Sequence, residues 1–132
     1  MNAKRIGILV VDDFPAMRRA LKTILTDHLG YSNIIEAEDG NAALQQLKYH
    51  DFSLMITDWH MRGGMSGLEL VNKVREDERF AHLPVLMLTG ESERARIVEA
   101  MKAGVTAYLI KPFTTSALRE KIETVLSATH AA

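Results

Sequence analysis

Four short apolar runs, each closing on a reactive side chain, constrain this chain more than any other feature. Ile8-Leu9-Val10-Val11 leads into Asp12 and Asp13, and Leu54-Met55-Ile56-Thr57 into Asp58. Val85-Leu86-Met87-Leu88 leads into Thr89, and Tyr108-Leu109-Ile110 into Lys111. An apolar run of this length bounded by turn formers reads as a strand buried on both faces, the kind found in parallel sheets covered by helices. In open sheets of that kind ligands bind beyond the carboxyl ends of the strands. Asp58, followed by a glycine-rich loop, therefore stands where a ligand is expected, and the other strand ends converge on the same pocket.

The segments between the runs carry helical spacing. Met17, Leu21, Ile24 and Leu25 predict a first helix with Pro15 in its first turn, where a missing N–H costs little, and Gly30 as its stop. Ile34-Ile35-Glu36-Ala37 is a more polar strand that suits a sheet edge, and Asp39-Gly40-Asn41 supplies turn and capping chemistry for a helix with Ala43, Leu44 and Leu47 inward. Beyond Gly67 a third helix places Leu68, Val71 and Val74 inward. After Thr89-Gly90 a fourth carries Ile97, Val98 and Met101 as far as Gly104. Strand five is expected over Ala107 to Lys111, and a last helix, capped from Thr114, Thr115 or Ser116, follows with Leu118, Ile122, Val125 and Leu126. The small-residue tail 127–132 reads as a fraying end or the first residues of a linker. Five alternating strand–helix units imply an α/β fold, a parallel sheet with helices on both faces and right-handed crossovers.

Size and charge narrow the partners. A chain of 132 residues is expected to be one domain, able to bury a core without staples. Cysteine is absent, which excludes disulfides and thiolate metal sites. A net charge of -1 with no long run of one sign argues against nucleic acid and against a polybasic membrane patch. No apolar stretch approaches the ~18 residues of a membrane span, and Met1-Asn2-Ala3-Lys4-Arg5 leads directly into a strand, so a cytoplasmic location is expected.

Three carboxylates gathered at strand ends repel one another, by about 4 kcal/mol per pair at ~4 Å and an effective dielectric of ~20. Something positive belongs among them. Mg²⁺ suits, because it takes one or a few carboxylates, keeps waters and leaves positions for phosphate oxygens. With Lys111 as a second, movable positive charge and the Thr89 hydroxyl facing a carboxylate, the site looks like a holder for a transferring phosphoryl group, with Asp58 as nucleophile. Taken singly, each residue has a plainer role: Asp12 or Asp13 would cap the first helix, Thr89 would be a strand residue, and Lys111 a solvated lysine. That reading leaves unexplained why all of them fall at carboxyl ends of strands one, three, four and five.

The stretches Val10-Val11-Asp12-Asp13-Phe14, Met17-Arg18-Arg19, Glu36-Ala37-Glu38-Asp39-Gly40, Thr57-Asp58-Trp59, Gly67-Leu68-Glu69-Leu70, Leu83-Pro84-Val85-Leu86-Met87-Leu88-Thr89 and Lys111-Pro112-Phe113-Thr114 together resemble the response-regulator receiver domains, in particular the single-domain chemotaxis regulators. The resemblance covers about residues 6–126 and implies a flavodoxin-like (βα)5 three-layer sandwich with strand order 2-1-3-4-5. It further implies that Asp58 takes a phosphoryl group from a histidine kinase, while Asp12, Asp13 and Asp58 hold Mg²⁺ with the backbone carbonyl of His60. Thr89 and Lys111 would each engage a phosphoryl oxygen. Tyr108 would swing inward as Thr89 moves, remodelling the face made by helix four, strand five and helix five for an output partner, in chemotaxis the flagellar motor switch. A monomer, a dedicated phosphatase as a further partner, and assistance by the domain in its own phosphotransfer and dephosphorylation belong to the same expectation. So does a cis Lys111-Pro112 bond, which would aim the ammonium back over the strand ends.

One departure from the family pattern stands just after Asp58. Most receivers have proline four residues beyond the acceptor, where this chain has Arg62 followed by Gly63-Gly64, and the loop is one residue longer. Two adjacent glycines raise the entropy of ordering, so this loop is expected to be mobile without metal or phosphate. The rival functions are a receiver of a non-chemotaxis regulator, a phosphate sink, a haloacid-dehalogenase-like Mg²⁺-dependent phosphatase and a flavodoxin-like binder. The phosphatase would want two carboxylates two residues apart at the end of strand one, whereas Asp12 and Asp13 are adjacent. The flavin binder would want a phosphate-cradling loop where Asp12-Asp13 repels phosphate.

Overall fold

The structure, a computed structural model, describes residues 6–90 and 94–131. Its elements alternate: β1 (Gly7–Val11), α1 (Pro15–Thr23), β2 (Asn33–Ala37), α2 (Gly40–Tyr49), β3 (Leu54–Asp58), α3 (Gly67–Glu76), β4 (Val85–Thr89), α4 (Arg94–Ala103), β5 (Ala107–Ile110) and α5 (Thr115–Ala131). All neighbouring strands pair in parallel in the order β2-β1-β3-β4-β5. The central strands β1, β3 and β4 are buried along almost their whole length, whereas β2 and β5 at the edges are mixed or half-exposed. Continuous apolar runs in the sequence thus mark the middle of the sheet, as two-sided burial requires.

Alternation along the strands builds two cores. Leu9, Val11, Met55, Val85 and Met87 pack with α2, α3 and α4, while Ile8, Val10, Leu54, Ile56, Leu86 and Leu88 pack with α1 and α5. Leu21 and Leu25 carry α1 and its continuation onto the second core, each contributing roughly 1.5–3 kcal/mol by leaving water. Leu118, Ile122 and Val125 do the same for α5, whose N-cap Thr114 accepts the Ala117 N–H as the sequence suggests. At the start of α2 the Asp39 carboxylate accepts the Ala42 N–H, and a reciprocal Ser66–Glu69 box opens α3.

Several expectations need correction. The first helix does not run uniformly to Gly30: residues Ile24–His28 widen into a π-helical turn, with the Leu29 N–H reaching the Ile24 carbonyl, and no proline or glycine marks the change. Leu21, Leu25 and Leu29 stay buried through it. In α3 Leu70 joins Val71 and Val74 as fully buried, and Leu68, partly buried, packs against the same core. In α4 the core contact is Ala100, while Val98 and Met101 are 43% and 45% exposed. The core contacts of that helix are the small residues Ala100 and Ala103, and its larger apolar side chains are left facing outward. β5 ends at Ile110, so Lys111 lies one residue beyond it. α5 continues to Ala131, which makes the tail helical through that residue. Among the described residues no helix is long and apolar enough to cross a membrane.

Candidate functional site

Register brings the site together. Val11 pairs with Thr57, which sets Asp12 level with Asp58, and Asp58 pairs with Leu88, one residue before Thr89. Thr89 pairs with Ile110, and the Lys111 N–H donates to the Thr89 carbonyl at 2.8 Å, so Lys111 is carried over the same end of the sheet. One carboxylate oxygen from each of Asp12, Asp13 and Asp58 lies within 4.8 Å of the others. The Lys111 ammonium stands 3.1 Å from Asp58 Oδ2, and the Lys111-Pro112 bond is cis. Thr89 is buried at the end of β4. Tyr108, half-buried in β5, has the Lys121 ammonium 5.6 Å from its ring centroid, and the His60 side chain is exposed.

Each carboxylate has its own surroundings. Asp58 Oδ1 accepts the Trp59 N–H at 2.8 Å while Oδ2 faces Lys111, so both oxygens are oriented. Asp12 is only 2% exposed, and its Oδ1 accepts the Phe14 N–H at 2.9 Å. Burial raises its pKa, opposed by that N–H, with the Asp58 charge raising it further. Asp13 is held below the usual carboxylate range chiefly by the Arg62 backbone N–H, and then by the Arg62 guanidinium. Neither acid caps α1 through a first-turn N–H; its N-cap is Phe14, which makes no side-chain cap bond.

The loop between β3 and α3 is tied down more than its glycines suggest. Met61 is buried in the first core, and the Met65 side chain lies where a Cβ on Gly40 would be. Arg62 donates its backbone N–H at 2.9 Å and its Nε–H at 3.3 Å to Asp13 Oδ2. A Cβ on Gly63, at φ +71°, or on Gly64 would meet nothing. The start of α3 is pressed against the acceptor: the Gly67 N–H reaches the Trp59 carbonyl at 2.7 Å, and a Cβ on Gly67 would collide with the Asp58 carbonyl.

Sequence reasoning missed Arg62 as the partner of Asp13. The signal was a cation in the loop beside an acidic cluster, in the place where a proline was expected. It also missed Arg18, whose guanidinium donates to the Asp12 carbonyl at 2.7 Å and to Glu36 at 3.3 Å, and so fixes the Asp12 backbone from α1. Arg96 of α4 lies 5.9 Å from the centroid of the buried Trp59 ring. The all-oxygen cluster, with an ammonium beside it, fits a hard divalent cation and an anionic phosphoryl group. Asp12, Asp13 and Asp58 are the residues that could hold the metal, with the Lys111 ammonium beside Asp58.

Comparison with known proteins places the chain in a family. Residues 8–123 match the response regulator receiver domain family. The chain is 52% identical over 118 residues to the chemotaxis protein CheY of Pseudomonas aeruginosa, covering 89% of this chain and 94% of that protein. It is 49% identical over 122 residues to the chemotaxis protein CheY-3 of Vibrio cholerae, covering 92% of each. The solved structure of the chemotaxis response regulator CheY4 of Vibrio cholerae superposes with a TM-score of 0.85 at 31% identity, over 92% of this chain and 99% of that one. With a family match across most of its length and relatives near half identical, the chain belongs to the response regulator receiver domains, and among them to the CheY type.

Proposed function

We propose that this protein is a cytoplasmic phosphoacceptor of chemotaxis signalling, in which Asp58 takes a phosphoryl group from a histidine kinase. The observation that carries this is the Asp58 carboxylate itself, set between the Lys111 ammonium at 3.1 Å and the acids Asp12 and Asp13. In the transfer an Asp58 oxygen forms a bond to phosphorus as the phosphorus–nitrogen bond to the donor imidazole breaks, and the imidazole leaves with the electron pair. The Trp59 N–H and Lys111 fix the plane of the carboxylate for that attack. Bound Mg²⁺, held by Asp12, Asp13, Asp58 and the His60 carbonyl, would neutralise phosphoryl oxygens. Lys111 then follows the charge from the carboxylate to a phosphoryl oxygen, and the Thr89 hydroxyl takes another. Incubation with acetyl phosphate and Mg²⁺ should add one phosphoryl group by intact mass, absent in Asp58→Asn; equal labelling of that variant would overturn the assignment.

The output face is the outward side of α4, β5 and α5, where Val98 and Met101 are exposed and Tyr108 is half-buried. Phosphorylation acts by populating an inward Tyr108 state coupled to Thr89, and the partner is the flagellar motor switch. Tyr108→Ala should leave labelling of Asp58 nearly intact while weakening capture of purified motor switch protein in the presence of a phosphoryl mimic. Loss of labelling would place Tyr108 in the chemistry instead.

A further inference from the structure

We propose that Arg62 is a tethered counter-cation of Asp13 which a divalent metal must displace, so that this residue sets the metal concentration at which the pocket fills. The inference rests on the reading of the acidic cluster as a Mg²⁺ site. Two donors of Arg62, the backbone N–H at 2.9 Å and Nε–H at 3.3 Å, converge on one oxygen, Asp13 Oδ2. Asp58 is already matched by Lys111, and Asp12 is buried away from the loop with the Phe14 N–H on its Oδ1. Arg62 is therefore the cation that answers Asp13, the most solvent-facing carboxylate of the cluster. A metal ligated by Asp13 brings its double charge against the guanidinium and competes for the same oxygen.

The local backbone allows the exchange. Met61 and Met65 anchor the loop on either side, in the core and against Gly40. Between them Gly63, at positive φ, and Gly64 have open space, a pivot through which Arg62 can turn outward while both anchors hold. The Arg62 side chain is 86% exposed, so its hold on Asp13 is weak and sensitive to salt. That makes it a graded competitor: it shifts the metal threshold and does not close the site.

Mg²⁺ titration of the full chain, followed by the fluorescence of Trp59, its single tryptophan and the neighbour of Asp58, tests this. Arg62→Gln should bind Mg²⁺ about two- to five-fold more tightly than the wild type at low ionic strength, the range an exposed ion pair supports. The gap should shrink as KCl is raised. Arg62→Lys, which keeps the charge, should stay near the wild type. Metal-free Arg62→Gln should melt no higher than the wild type, so that tighter binding reflects lost competition and not a better-formed site. Equal or weaker Mg²⁺ affinity in Arg62→Gln, while the wild type titrates normally and Asp13→Asn does not, would overturn the role of Arg62 alone. A wild type with no saturable response would overturn the metal site and this inference with it.

Discussion

The two ends of the sheet differ more than their shared strands suggest. At the amino end lies a hollow of about 330 Å³ lined by Leu47, His50, Asp51, Phe52, Phe80 and His82, and beside the carboxyl end one of about 430 Å³ lined by Met17, Lys111, Pro112 and Phe113. The charges at the amino end are paired locally and exposed: Arg79 meets Asp77 two residues away at 2.7 Å, and Asp77 caps the short turn that follows α3. At the carboxyl end an acid is almost fully buried, and three acids share one site. Parallel topology accounts for the contrast. Each strand hands its chain to a helix N-terminus at the carboxyl end, where backbone N–H groups are in surplus, and receives it from a helix C-terminus at the other. The N–H groups of Phe14, Trp59 and Arg62, in the segments that lead from strand to helix, each answer one of the three carboxylates. Hollow volume marks where atoms are missing; charge crowding held by oriented donors marks where chemistry can be done.

The sharpest way to break this contrast is covalent. His82→Ala, in the amino-end cavity, should leave acetyl phosphate labelling unchanged, whereas Asp58→Asn loses it entirely; a fall in both would show that the ends are not independent. Next in size are two glycines, one at each end. A Cβ on Gly67 would meet the Asp58 carbonyl, and one on Gly7 the Asp51 carbonyl, so each Ala variant should cost about 1–3 kcal/mol in urea unfolding. Gly67→Ala should also slow labelling, because it pushes on the acceptor itself, and Gly7→Ala should not. Equal slowing by both would mean that stability alone limits the reaction.

The smallest effect concerns Asp12, the buried acid with a raised pKa. Asp12→Asn keeps an acceptor for the Phe14 N–H and removes the charge, so it should stabilise the metal-free protein by about 1 kcal/mol near neutrality and shrink the rise in melting temperature that Mg²⁺ gives. The sign with pH follows from proton uptake. A folded pKa above 3.8 means that the native state binds more protons than the unfolded chain, so this contribution is present in acid and lost as pH rises through the folded value. The advantage of Asp12→Asn in urea midpoint should therefore widen from the acid range toward neutrality. Asp13 runs the other way: its lowered pKa adds stability above 3.8 that disappears as pH falls, so Asp13→Asn should lose its deficit in acid. A constant gap for Asp12→Asn across this range would show that its burial is not felt as charge.

The strands and their reactive ends were legible because two-sided burial writes itself as unbroken apolar runs, and because parallel register leaves strand ends level. The faces of the helices were less so. Spacing in α4 pointed Val98 and Met101 inward, yet Ala100 is the buried residue and those two face out, because helical spacing alone does not say which side of an apolar stripe meets the core. The widened turn after α1 has no residue that announces it, since it depends on how Leu25, Leu29 and Tyr31 seat together. The pairing of Arg62 with Asp13 spans 49 residues of sequence. The glycines of the loop give no sign of that contact.

The position of Lys111 also has a consequence for how the chain is made. It follows the edge strand β5, the last to join the sheet in sequence, whereas Asp12 and Asp13 follow β1 and Asp58 ends β3. A polypeptide leaving the ribosome can thus assemble β1, β2 and β3, acids included, before their lysine exists. Until it arrives, Arg62 stands beside Asp13 but Asp58 lacks its ammonium. Docking of β5 is then drawn by electrostatic relief at one end as well as by apolar contact along its length, and a nascent chain halted before Lys111 is penalised in the place where the finished protein does its work.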